Sequence, residues 1–163
     1  METPDLAALW FLLPALPISA WVAWSDLSRM KIPNKAVLAL MVAFLVIGPF
    51  VLPLAEYGWR WTHFVVMLLV GMGLNAAGVF GAGDAKFIAA AAPYVALADI
   101  DEILVIFALA SIFGYVSHRI ARATPLRRLA PNWVSWDAGN RFPMGYPLAV
   151  AFVAYLALAA AGR

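Results

Sequence analysis

Apolar residues run in six nearly unbroken stretches, approximately 6–24, 36–54, 62–80, 84–98, 103–118 and 145–161. Short polar turns part them, except for one longer segment at 119–142. Within each stretch the apolar positions are continuous and do not alternate. That excludes the ten-residue inside–outside rhythm of a membrane β-barrel and predicts helices. Crossing ~30 Å of hydrocarbon takes about 20 helical residues, and the first three stretches are long enough. The fourth is not, because a helix from Asp84 to Ala98 rises only ~22 Å. Asp84 is therefore expected at or just under the water–lipid boundary. The expected fold class is all-α: one polytopic membrane domain over 1–163, a bundle of about six transmembrane helices.

Composition supports lipid as the solvent. The chain is 65% hydrophobic and 12% charged, where soluble domains carry about 45–50% apolar and about 25% charged residues. It holds no cysteine, which excludes a disulfide framework, a thiolate nucleophile and Cys-ligated zinc. The first stretch lacks the positive leader of a cleaved signal: Glu2 and Asp5 precede it, and no Lys or Arg occurs before Arg29. It is read as a retained first span. Pro14 and Pro17 are expected to kink that helix. Gly71 and Gly73 are expected to let a neighbouring helix approach, and Asn75 beside them to bond across helices.

Charge sets the expected orientation. Arg29, Lys31, Lys35, Lys86, Arg119, Arg122, Arg127, Arg128 and Arg141 fall on one side of the six-span scheme. Only Arg60 and Arg163 fall on the other, with Glu2, Asp5, Glu56, Asp99, Asp101 and Glu102. The positive-inside rule makes the basic side cytoplasmic, with both termini outside. Trp21 and Trp24 mark the inner end of the first span, and Tyr57, Trp59 and Trp61 the outer end of the third, as interfacial anchors.

Three acids face the cytoplasm in this scheme: Asp26, Asp84 and Asp137. Asp26 directly follows the first span and Asp84 directly precedes the fourth. Carboxylates near hydrocarbon are costly and need a reason. Held together, two of them share a proton: the ionised one takes a proton from water and the protonated one polarises a scissile carbonyl. Plainer roles exist. Asp26 would cap a helix or pair with Arg29, and Asp84 would be the N-cap of the fourth helix. Asp137 reads as a solvated loop acid near Asn140 and Arg141.

The local motifs narrow this choice. Gly81-Ala82-Gly83-Asp84-Ala85-Lys86-Phe87 resembles the GxGD signature of membrane aspartic proteases. Asp26-Leu27-Ser28-Arg29-Met30-Lys31-Ile32-Pro33-Asn34 resembles the companion motif of the type IV prepilin peptidases, in which an Ile-Pro-Asn turn opens the second helix. Pro143-Met144-Gly145-Tyr146-Pro147-Leu148-Ala149 is similar to that family's Pro-rich entry to the last span. The resemblance implies an aspartic endopeptidase of the inner membrane. It would remove the short basic leader of prepilins or pseudopilins at the cytoplasmic face, just before the pilin's hydrophobic helix. It implies Asp26 and Asp84 as the catalytic pair and Gly81, Gly83 and Lys86 as the active-site loop, with Arg29, Pro33 and Asn34 supporting the motif. No metal and no cofactor are implied. The chain looks like the short form found with Flp-type, tight-adherence pili, for which cleavage without N-methylation is expected.

Two related enzymes share the aspartate logic: archaeal preflagellin peptidases, and presenilin-like proteases that cut within the membrane. A different class is a small proton- or ion-coupled transporter or assembly factor. It fits less well, because transporters bind near the midplane between repeated halves, and here the acids sit at one face with no internal repeat. The basic segment 119–142 mixes Arg122, Arg127 and Arg128 with Leu126, Leu129, Trp133 and Trp136. That mixture suits a strip lying on the anionic inner leaflet. Nucleic acid is not an expected partner, since no folded soluble module presents the charge.

Overall fold

The computed structural model describes residues 1–139 and 141–163, so Asn140 lies outside the described residues. Among the described residues the chain forms six α-helices and no strand. They are α1 (Asp5–Arg29), α2 (Asn34–Val51), α3 (Leu54–Ala76), α4 (Ala82–Ala91), α5 (Ile100–Ala123) and α6 (Gly145–Ala160). Of these, α1 and α2 are each long and apolar enough to cross a membrane, and α6 is a shorter apolar helix. The all-α class is as expected.

Helices α1 and α6 form the centre, with the most extensive contact in the molecule. α2 packs on α1, α5 packs on α6, and α4 fits between α3, α2 and α6. The buried faces of α1 and α6 carry Ala7, Ala8, Ala15, Ala149, Ala151 and Ala159. In lipid, helices gain little from hydrophobicity and associate by close packing, which small residues permit. A buried aromatic group fills the middle: Phe11 and Phe152 meet Tyr94 edge-on at 4.9 and 5.2 Å between ring centres, and Phe44 stacks on Phe11. Outward, the bundle is greasy, with Leu13, Leu38, Leu69, Leu109 and Ile112 all well exposed.

Three boundaries differ from the sequence expectation. The third helix begins at Leu54 and ends at Ala76, several residues before the expected 62–80. Pro53 fixes an extended backbone at its entry, and α2 and α3 form a tight hairpin. Tyr57 and Trp61 pack inward on Phe44, at 5.4 Å each. The fourth helix is far shorter than 84–98. It spans ten residues and then breaks into 3₁₀ turns at Ala92–Tyr94 and Leu97–Asp99. Pro93 accounts for the break, since it lacks the N–H that a continuing helix needs. The fifth helix continues to Ala123, so the basic loop 119–142 is partly helix. Its remainder holds 3₁₀ turns at Pro125–Leu129 and Val134–Asp137 and packs against α5 and α1.

The break after α4 explains Arg60, which the charge count placed outside. Its side chain is 1% exposed. It donates to the carbonyls of Pro93 (3.4 Å) and Tyr94 (3.0 Å), which the interrupted helix leaves without partners, and pairs with Glu56 at 2.6 Å. Arg60 thereby ties α3 to the end of α4. Gly71 behaves as expected: a Cβ there would lie 2.9 Å from that of Ala85, so α3 and α4 touch closely. Gly73 does not, because it faces open space. Asn75 does not bridge helices either. It lies in the last turn of α3 and donates to the Phe80 carbonyl at 2.8 Å, closing the turn that leads to α4.

At the bundle end that carries the N-terminus, Asp99 is buried. It accepts from the backbone N–H of Glu2 (2.6 Å), that of Thr3 (3.2 Å) and the Tyr155 hydroxyl (2.6 Å). Burial alone would raise its pKa, but these donors together hold it below the usual carboxylate range.

Candidate active site

Asp26 sits in the last turn of α1, not after it, and is buried. The helix stops three residues later because Met30 adopts the left-handed conformation, φ 55°, with its N–H bonded to the Asp26 carbonyl. The Ser25 hydroxyl donates to the Lys31 carbonyl at 2.8 Å and holds the chain as it turns. Pro33 then sets the extended entry to α2, whose first residue is Asn34. The Ile-Pro-Asn stretch opens the second helix, as the motif suggested.

Asp84 is approached from the other side of the bundle end. Gly78 turns the chain with φ 74°, and Gly81 is the N-cap of α4. Asp84 is therefore the third residue of the helix and not its N-cap. Acidic side chains are favoured in a first turn by the unpaired backbone N–H groups there.

The two turns come together. Asp26, Met30, Lys31, Ile32, Asn34, Gly81, Gly83, Asp84 and Lys86 line one open cleft of about 300 Å³. The Lys86 ammonium donates to the Asn34 side-chain oxygen at 3.3 Å, linking the two motifs across the cleft. Asp84 is partly exposed where Asp26 is buried. A cleft with one sheltered and one accessible carboxylate can admit water to both.

The glycines act by taking up little space. Gly81 has φ −67°, open to any residue, but a Cβ on it would lie 2.8 Å from Asp84 Oδ2. A Cβ on Gly83 would lie 3.3 Å from that of Ile32, so this glycine lets the α4 turn settle on the α1–α2 turn. Both glycines serve close approach, and the positive φ in this loop belongs to Gly78.

One participant was not singled out from the sequence. The Gly145 N–H, at the start of α6, donates to Asp26 Oδ2 at 2.6 Å. A Cβ on Gly145 would fall 2.9–3.0 Å from the Asp26 carboxylate. Its signal was present in the Pro-rich stretch around it, but nothing in linear order says which acid that stretch reaches. Asp26 thus takes its partner from Gly145 and makes no ion pair with Arg29 among the described residues.

Asp137 is elsewhere. It is exposed and makes a two-pronged ion pair with Arg127, at 3.0 Å to each oxygen, as a solvated loop acid does. Arg29 is exposed and does not line the cleft. The described residues hold no cluster of three or more potential metal ligands.

A model of the type IV leader peptidase family matches residues 10–117, well over half of the chain, and the protein belongs to that family. The matched stretch includes both aspartate turns and ends before Gly145. Comparison with curated proteins and with solved structures returns no match. The protein is accordingly a membrane aspartic endopeptidase of the inner membrane acting on prepilin-type substrates.

Proposed function

We propose that Asp26 and Asp84 are the catalytic pair, and that they cut the leader from a prepilin at the cytoplasmic face of the membrane. The observation that carries this reading is their meeting: two carboxylates 58 positions apart in sequence line one water-accessible cleft. In such a pair one carboxyl holds a proton while its ionised neighbour takes one from the attacking water. The protonated group polarises the scissile carbonyl and gives up its proton as the tetrahedral centre forms. Lys86 and Asn34 brace the cleft between the two turns, and Gly145 aims Asp26.

The same reading takes the six apolar segments as threading the bilayer with both termini outside, the fourth as α4 together with the 3₁₀ turns that follow it. The clustering of Lys31, Lys35 and Lys86 at the acid-bearing end and of Glu2, Glu56 and Asp99 at the opposite end supports that orientation. The strip 125–139 supports a position on the inner leaflet, since Leu126 and Leu129 are exposed beside Arg127 and Arg128. Because the chain lacks cysteine, single-cysteine variants test the orientation cleanly. A membrane-impermeant thiol reagent should label Lys35→Cys only from the cytoplasmic side and Glu2→Cys only from the outside. The reverse pattern overturns the orientation.

A further inference from the structure

The bundle is open between α3 and α5. α3 packs on α4 and α5 packs on α6, and the two outer helices scarcely meet. The gap is a second cleft of about 620 Å³, distinct from the acid cleft. Phe87, Ile88 and Phe152 form its floor, and Val66 of α3 and Leu104 of α5 stand on its two walls. Thr62 and His63 are the polar side chains lining it, and the His63 ring is already tied to the Val95 carbonyl at 3.2 Å.

The two clefts adjoin along the chain: Phe80 lines the apolar one, and the next residue, Gly81, lines the acid cleft. Helix α4 carries both: Asp84 faces the acids and Ile88 faces the apolar gap. Residues four apart lie on the same face of a helix, one above the other. One face of α4 therefore presents Asp84 to the acid cleft and, one turn on, Ile88 to the gap.

We propose that the gap seats the apolar helix of the substrate, the part that directly follows the scissile bond. The proposal rests on the reading of Asp26 and Asp84 given above and on the leader-then-apolar-helix order that the resemblance implies for prepilins. The volume lies within the range of sites that enclose most of a bound group, and the walls suit a helix laid in a groove by residues at i, i+3, i+4 and i+7. In lipid, acyl chains are as apolar as any helix, so only shape-filling contact favours an occupant. The chain's own helices leave this gap unfilled, and a substrate helix gains there the packing that acyl chains match poorly. Seated so, the helix also fixes the register that brings the bond before it to the acids.

The test uses the full chain in liposomes with a synthetic prepilin-type peptide, a basic leader followed by about 20 apolar residues, carrying one cysteine. Val66 and Leu104 are 55% and 60% exposed, so cysteine at either leaves the fold undisturbed. Leu38, 60% exposed on α2 and outside the gap, is the control. Oxidation should join the peptide to Val66→Cys and Leu104→Cys, with peptide positions three and four apart preferred, and leave Leu38→Cys unjoined. Equal joining at Leu38→Cys, or none at the two wall positions while the peptide is cut, overturns the proposal. In parallel, Val66→Trp with Leu104→Trp should raise KM for the full peptide about tenfold and leave cutting of a short peptide without the apolar helix unchanged. An unchanged KM for both peptides overturns it too. Joining at the walls with cleavage retained in Asp84→Asn would leave the groove standing and remove the catalytic reading instead.

Discussion

The Gly145 N–H donates to Asp26 Oδ2 over 2.6 Å, and Gly145 is also the residue on which a methyl group would strike that carboxylate. The first turn of α6 thus both holds Asp26 and leaves it room. Gly145→Ala should push the carboxylate aside. Misplacing a reacting group by about 1 Å costs on the order of 100-fold, so kcat should fall by about that factor while KM stays within about twofold. A merely structural role would lower the amount of folded protein and leave the kcat of the surviving fraction intact. Steady-state cleavage normalised to folded protein separates the two.

Gly71 and Gly73 offer a contrast within one helix. Gly71→Ala would place its Cβ 2.9 Å from the Ala85 Cβ and 3.3 Å from the Ala85 backbone. Overpacking of this kind costs about 1–3 kcal/mol, and here it also levers Asp84, the residue before Ala85. Gly73→Ala meets open space and should stabilise the helix by about 0.5–1 kcal/mol. Thermal unfolding in detergent should move in opposite directions for the two variants.

Much of the site was legible in linear order, and the reasons why some was not are physical. The Ile-Pro-Asn entry to α2 and the Gly-rich entry to α4 are local turn chemistry, and both appear where the sequence put them. Helix limits were less secure, because apolar periodicity cannot distinguish a helix from the same residues in 3₁₀ turns. Pro93 breaks α4, and only the packing of Arg60 under it makes the break tolerable. Charge counting placed Arg60 on the side opposite the acid turns but could not give its role, since a count says nothing of which carbonyls need a donor. Gly145 was invisible as a partner of Asp26 because 119 residues separate them.

Arg60 should be among the least replaceable residues outside the acid cleft. Arg60→Met leaves two carbonyls at the end of α4 without a donor and Glu56 without its cation. With Glu56 partly exposed, the cost should be about 3 kcal/mol. Arg60→Lys keeps the charge, but its three donors lack the planar fork, and it should recover only part of that. Denaturation midpoints in detergent for the two variants check the order.

Asp99 should give the bundle end that carries the N-terminus an acid-sensitive component. Its native pKa is lowered, so its ionised form stabilises the fold above the unfolded value of about 3.9. That contribution is lost as pH falls below about 4 and through the native value. Asp99→Asn removes it at every pH. Wild type should be the more stable by about 2 kcal/mol at pH 7, and the two curves should converge below about pH 4. A gap that persisted unchanged into acid would show that the carboxylate's charge is not what holds Glu2, Thr3 and Tyr155 together.

The most direct test of the account is cleavage itself. The protein is reconstituted with a prepilin-type substrate, and the product's new N-terminus is read for wild type, Asp26→Asn and Asp84→Asn at matched membrane levels. The account predicts leader removal by wild type and a loss of at least about 1,000-fold in each variant, the scale expected when one member of a proton-sharing pair is removed. Retention of near-wild-type cleavage by either variant would contradict it and take that aspartate out of the catalytic pair.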